Sequence, residues 1–369
     1  MEIIIFLIIL VVLILVHEFG HFIVAKRNGI RVDEFGIGFP PRITTLWEKG
    51  GTKYTFNLLP FGGFVRIFGE NPDDESINGP DKVRSFVHQS SWVKAMVLGA
   101  GVFFNLVFAW FLFFLVFVLG SPASISEEEI NDVRNVRLII AEVVPNSPAE
   151  LSGIEAGDEI ISLTSQNKSL EELVPSHVSS FIEARGGEEL TLNVQRGTEI
   201  LNLAVIPSVG IVEEEPDRAV IGISMGLVGL RSYPIPTAFI KSLKFTFDIT
   251  VLTAVSLFSF FASALTASAD LSQIAGPVGI VGLVGEASTL GFVFLLNFTA
   301  FISINLAIIN LIPIPALDGG RLLFLLIEKI KGSPIRPRIA NMANTIGFVL
   351  LILLMLVVTF NDVVRLVSG

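Results

Sequence analysis

Long apolar runs separated by short charged stretches make up most of the chain, and one central interval switches to a two-residue alternation. About 20 consecutive apolar residues span a bilayer. Three runs meet that length plainly, at about 3–25, 93–120 and 340–366. A fourth, at about 289–327, is long enough but is interrupted by "NLIPIPALDGG", where two prolines remove backbone donors and two glycines permit unusual dihedrals. A fifth, 236–267, is apolar but carries Lys241, Lys244 and Asp248. Between the second run and the fifth, residues 132–210 alternate apolar and polar positions between clusters of Pro, Asn and Gly, the pattern of short strands around a small core. The stretch "KYTFNLLPFGGFVRIFGE", 53–70, alternates on either side of Pro-Phe-Gly-Gly and predicts a β-hairpin.

Composition turns this pattern into a class. Of 369 residues 51% are hydrophobic and 16% charged, and the mean hydropathy is +0.71, which suits a multispanning membrane protein. The expected fold is therefore a polytopic α-helical membrane protein of about four transmembrane helices with an inserted β-rich domain. The first run has Glu2 in place of a positive leader, exceeds a signal-peptide core and lacks a small-residue cleavage site, so it is expected to stay as the first transmembrane helix. Residues 26–94 hold ten Lys and Arg, and 329–338 pack several more, so both loops are expected on the cytoplasmic side and the acidic 121–235 outside. Parity then makes the broken run the inward crossing. It leaves 236–267 lying along the surface or re-entering. The predicted divisions are an N-terminal membrane core 1–120, a β-rich domain 132–210, peripheral linker helices 236–285 and a C-terminal membrane core 286–369.

Charge and cysteine usage narrow the chemistry. A net charge of −10 argues against nucleic acid as a partner. The chain has no cysteine, so any metal must be held by His, Asp or Glu, and there are four histidines. Two of them stand in "HEFGH" at the end of the first run. On a helix His17 and His21 lie about 40° apart around the axis and can grip one ion from one face, with Glu18 about 100° from His17, placed to handle a water without being a ligand. Ionisable groups at membrane depth cost about 2.5–3.5 kcal/mol on insertion scales and are functional by default. A third ligand is still needed. His88 and His177 fall in a predicted loop and in the β-rich interval, whereas Asp318 sits in the broken run, and broken backbone at membrane depth is tolerated where it lines a wet cavity.

Together, "HEFGH", the later "NLIPIPALDGGR", an insert between them and a final apolar helix resemble the site-two protease family of intramembrane zinc metalloproteases, in its bacterial regulator-of-sigma-E-protease branch. "NSPAELSGIEAGDEI" resembles the turn, short helix and strand entry of bacterial PDZ domains. The likeness implies Zn2+ held by His17, His21 and Asp318, with Glu18 as general base. Asn310, Pro313 and Pro315 match the family's N-x-x-P-x-P-x-L-D-G pattern and are implied to contact substrate. Asn105 ends "GAGVFFN", which resembles the G-x-x-x-N element of the second helix. The segment with Phe61, Gly62 and Gly63 is implied to be a membrane-reentrant hairpin that holds an unwound substrate as an added strand. Two departures stand out: the branch's best-known members carry two PDZ domains, and Arg321 occupies a place where histidine is common.

These features predict a bacterial inner-membrane, multi-pass zinc endopeptidase cutting transmembrane segments of single-span proteins, such as anti-sigma factors or remnant signal peptides. Its active site would lie toward the cytoplasm and its PDZ-like domain outside, contacting substrate or a free C-terminus. The alternative is a membrane-bound binding protein or chaperone with a structural metal; such sites usually close with four protein ligands, and three are found. A metal transporter would show internal repeats and polar groups along several helices, and neither is present.

Overall fold

The computed structural model describes residues 1–71, 73–165, 168–197, 199–211, 215, 217–265 and 276–368. They form two compact units, a helical one (1–114, 240–288 and 295–369) and a β-rich one (115–239 and 289–294).

The helical unit opens with α1 (Glu2–Arg27), which begins with an acid and ends with Lys26 and Arg27, each complementing the helix dipole. Its buried residues Ile9, Leu13, His17, Gly20, His21 and Ala25 recur at three- and four-residue steps, so one face turns inward along its whole length. β1 (Val32–Lys49) and β2 (Thr52–Ile67) follow, then the short α2 (Asp74–Asn78) and the long α3 (Ser91–Leu119). The turn between β1 and β2 is Gly50-Gly51, both at positive φ, the requirement of a tight two-residue hairpin.

This corrects the predicted hairpin. Pro60–Gly63 is not a turn whose arms pair with each other: residues 34–37 of β1 pair with 53–56 of β2 on one side and with 63–66 on the other. The result is a curled sheet with 63–66 along one edge. Glu34, 3% exposed, fastens it by accepting from Thr55 Oγ1 at 2.8 Å and Arg42 Nη2 at 2.8 Å, with Arg66 Nη1 at 3.4 Å.

In the β-rich unit, β3 (Ser121–Ile125), β4 (Arg134–Val143), β5 (Glu159–Ser165), β6 (Lys168–Ser169), β7 (Leu190–Arg196), β8 (Glu199–Val205) and β9 (Ile223–Arg231) pair antiparallel in the order β3-β9-β4-β5-β7-β8, with β6 on β5. The helices α4 (Pro148–Leu151) and α5 (Pro175–Glu183) accompany the sheet. It reaches beyond the predicted 132–210 because β9 inserts between β3 and β4. Leu138, Ile140, Leu163, Val178, Leu190 and Leu192 fill its core. Asp158, almost wholly buried, accepts from Arg196 Nε and Nη2, both at 2.8 Å. Burial acts to raise the pKa of this carboxyl, but the two hydrogen bonds and the charge of Arg196 outweigh it and hold it below the usual carboxylate range.

The helical unit resumes with α6 (Ile235–Leu265), α7 (Pro277–Leu290), α8 (Phe292–Leu311), α9 (Asp318–Lys331) and α10 (Pro337–Ser368). Among the described residues five helices are long and apolar enough to cross a membrane, α1, α3, α6, α8 and α10. α6 is one continuous helix over 235–265, and Phe245 joins Phe113 of α3 and Phe301 of α8 with ring centroids 4.8–6.4 Å apart. Residues 266 and 267 of the predicted fifth run lie outside the described residues. The break predicted in the fourth run is present: α8 ends at Leu311 and α9 starts at Asp318.

Candidate active site

Three side chains from opposite ends of the helical unit converge. His17 Nε2 lies 3.0 Å from Asp318 Oδ2, His21 Nε2 3.2 Å from the same oxygen, and the two Nε2 atoms 3.2 Å from each other. Four-residue spacing on α1 aligns the imidazoles. Asp318 is delivered by the break. Within it Ala316 adopts φ 80°, and its N–H donates to Asn344 Oδ1 at 3.2 Å. The backbone of the break then folds onto the start of α9: a Cβ on Gly319 would overlap the carbonyl oxygens of Leu311 and Ile312, and one on Gly320 that of Ile314. The two glycines after Asp318 are therefore required for this closure.

The groups behind the two imidazoles fix which nitrogens face the cluster. His21 Nδ1 lies 2.7 Å from the carbonyl of Val97, so Nδ1 carries the proton and Nε2 is left with its lone pair inward. His17 Nδ1 lies 3.2 Å from the amide of Asn105, which is fully buried and whose Oδ1 otherwise has no partner. Turning that amide by 180° puts Oδ1 opposite a protonated Nδ1, so that Nδ1 donates and Oδ1 accepts. Both imidazoles are then held with Nε2 free to coordinate, the arrangement of metal-bound histidines. Two imidazoles and a carboxylate suit zinc, whose bonds of about 2.0–2.2 Å set tetrahedral ligands about 3.3–3.5 Å apart, close to the contacts here.

Gly101 of α3 makes room for the pair: a Cβ there would stand 2.5 Å from both His17 Cε1 and His21 Nε2. Gly20 does the same from α1, where a Cβ would meet the Ala100 carbonyl oxygen at 2.5 Å. Gly101 and Asn105, four apart on α3, thus face the site as spacer and support. Ser303 of α8 donates to the Asn105 carbonyl at 2.8 Å and fixes that turn of helix.

Glu18 stands beside the cluster and accepts from Val65 N–H at 3.0 Å, so the 63–66 edge turns a backbone donor toward it. A cavity of about 430 Å³ is lined by His17, Glu18, His21, Asn310, Leu317 and Asp318, and on the sheet side by Phe39, Gly63, Phe64 and Val65. Of the predicted substrate contacts, Asn310 and Gly63 line this cavity. Four others do not. Asn105 is buried behind His17, Pro313 and Pro315 shape the break, and Gly62 packs against Ile14, where a Cβ would meet Cδ1 at 2.8 Å. Phe61 belongs to β2 by its backbone. His88 and His177 are exposed and away from the site, with His88 Nε2 on the Ile77 carbonyl and His177 beside Glu172. Gly101 is the glycine of the G-x-x-x-N element that ends at Asn105. The Val97 carbonyl and the Glu70–Arg321 pair, in which Arg321 Nη1 donates to Glu70 Oε1, were not predicted as site features; a backbone carbonyl leaves no trace in a sequence.

Comparison with known proteins agrees with this geometry. The model of peptidase family M50 matches residues 5–354. A Clostridium perfringens protein named as a candidate zinc metalloprotease is 36% identical over 95% of this chain and 95% of its own length. The zinc metalloprotease RasP of Oceanobacillus iheyensis is 31% identical over 96% and 97%. The regulator of sigma-E protease RseP of Escherichia coli is 30% identical over 98% of each. A two-histidine, one-carboxylate cluster beside a glutamate, on helices long enough to cross a bilayer, is what a zinc peptidase of that kind requires, and the chain belongs to peptidase family M50, the site-two proteases, as a membrane metalloprotease that uses zinc.

Proposed function

We propose that the protein hydrolyses peptide bonds within the transmembrane segments of single-span membrane proteins. The observation that carries this reading is the placement of Glu18, beside the His17–His21–Asp318 cluster and hydrogen-bonded to the outer strand of a β-sheet, in one cavity. A helical substrate hides its carbonyls in its own hydrogen bonds and must be unwound first. The 63–66 edge offers an extended segment a strand to pair with, which is β-augmentation. The outer part of the curled sheet leaves Ile43, Leu46, Trp47 and Leu58 exposed, as a hairpin dipping into lipid would.

His17, His21 and Asp318 hold the zinc. When bound, it supplies Lewis acidity toward the scissile carbonyl and lets a water ionise near neutral pH. Glu18 takes the water's proton and returns it to the leaving amine. Asn105 and the Val97 carbonyl hold the histidines, while Asn310, which lines the same cavity, contacts the substrate backbone. The protein resides in a bacterial inner membrane with the site toward the basic loops on the cytoplasmic side.

The β-rich unit acts as a PDZ-like module that receives a free C-terminus. Two observations support this. A cavity of about 240 Å³ lies between α5 and the start of β9, lined by Ser179, Ile182 and residues 220–225. On that stretch β9 pairs with β4, whereas β3 reaches only Leu227–Arg231, so 223–226 keep one strand edge open.

The deciding experiment is cleavage of a model single-span substrate by purified wild type and Glu18→Gln in detergent, with zinc measured in both. Cutting within the span by the wild type, and none by a variant that retains zinc, is expected. Retained zinc with no cutting of several trimmed spans by either protein overturns the substrate assignment.

A further inference from the structure

The active-site cavity has one wall that the reaction as written leaves idle. Three carboxylates face it, Glu18, Glu70 and Asp318, against a single guanidinium, that of Arg321. Arg321 lies three residues after Asp318 in the first turn of α9, so the two project from the same helix face. Its partner Glu70 comes from the turn that follows β2, where Glu70 N–H donates to the Ile67 carbonyl at 3.2 Å. The pair stands between the catalytic cavity and a second one of about 220 Å³ lined by Phe86, Lys94, Phe324, Glu328 and Asn344, since both residues line both spaces.

A partly buried ion pair is a poor source of stability, since desolvation offsets much of the attraction. A different use follows from the reaction. Peptide hydrolysis adds the oxygen of water to the carbonyl carbon, breaks the C–N bond, sends both protons of that water to the departing amine, which leaves as an ammonium, and leaves a carboxylate where a neutral amide stood. An arginine fork is the side chain best matched to a carboxylate, and Glu70 already occupies this one with the same group.

Resting on the substrate reading above, we propose that Arg321 is the receptor for the new C-terminal carboxylate, with Glu70 as the internal stand-in that it releases when product forms. Glu70 competes with the product for the guanidinium. Removing either member of the pair should therefore act in opposite directions, which a simple tether between the sheet and α9 would not do.

The test measures binding of a short N-acetylated apolar peptide with a free C-terminal carboxylate, and of its C-terminal amide, to full-length protein in detergent. It is done on the zinc-loaded Glu18→Gln protein and again after chelation, so that ligation by the metal is separated from pairing with Arg321. The expected preference for the acid over the amide is about 10–100-fold, the range of hydrogen bonds to charged groups, and it persists without zinc. Arg321→Gln should abolish the metal-independent part, Arg321→Lys should keep only a fraction of it, and Glu70→Gln should tighten acid binding while leaving the amide unchanged. Glu70→Gln weakening the acid as Arg321→Gln does, or a preference that is unchanged after chelation in an Arg321→Gln protein that binds zinc normally beforehand, would overturn the proposal. If the wild type cuts no single-span substrate while these preferences hold, the substrate reading fails and the carboxylate receptor stands.

Discussion

In the β-rich unit the fully buried positions are Ile140, Leu163, Val178, Leu190, Leu192 and their neighbours, and charge is met at the margin, as where Arg196 covers Asp158. Along α1 the inward face starts the same way, with Ile9 and Leu13, then becomes His17, Gly20 and His21, backed by Asn105 and Ser303, while Ile3, Ile4, Ile8 and Val12 point outward. The first interior is driven by removal of apolar surface from water. In a bilayer that force is absent between helices, so contact depends on small residues that let backbones approach and on polar groups that satisfy each other. The helical unit can therefore keep a polar interior where the chemistry is, at the cost of depending on single atoms.

That contrast is sharpest in substitutions of one methyl group. Gly101→Ala adds one atom to the helical unit and is expected to bring bound zinc below about a tenth of wild type by metal analysis, at the strong end of second-shell losses, and to end cleavage. A Gly101→Ala protein with full zinc would break the comparison. In the β-rich unit the matching experiment removes atoms: Leu163→Ala should cost about 2–5 kcal/mol, read by hydrogen exchange of the sheet amides, with zinc content unchanged. Asn105→Ala should weaken zinc affinity about 10–100-fold in a chelator titration, and Asn105→Asp should restore most of it by offering an acceptor to His17.

The smallest effect concerns pH. The folded pKa of Asp158 lies below its unfolded value of about 3.9, so its contribution is complete above that value and is lost as pH falls through the folded pKa. Sheet stability should thus decline with acid below about pH 4, and Asp158→Asn should flatten that decline while costing about 1–3 kcal/mol at neutral pH, the penalty of leaving a charged donor underpaired. An identical acid response in wild type and variant would remove Asp158–Arg196 from the account.

Much of the site was legible because its signals are covalent spacings. His17 and His21 are a helix turn apart, and the prolines and glycines around Asp318 dictate a break whatever packs on them. The curled sheet was misread because 53–70 alternates around a turn-like tetrapeptide, while the true turn is Gly50-Gly51 and residues 34–37 pair twice, the second time with 63–66, well beyond that turn. The extent of the β-rich unit was underestimated for the same reason, since β9 reaches its place between β3 and β4 from about 80 residues away along the chain. Asn105, Pro313 and Pro315 matched patterns in which support and contact look alike; only the folded chain shows that Asn105 is buried behind His17 and that the two prolines stand outside the cavity lining.

His17 and Asp318 are 301 positions apart. During synthesis at about 5–20 residues per second, an interval of roughly 15–60 s separates emergence of the histidines from emergence of the aspartate. For that time the nascent protein holds two of the three converging side chains and cannot close the cluster, however well its first helices are inserted. Closure therefore waits until α9 has been made, and products of translation interrupted before residue 318 lack the completed cluster.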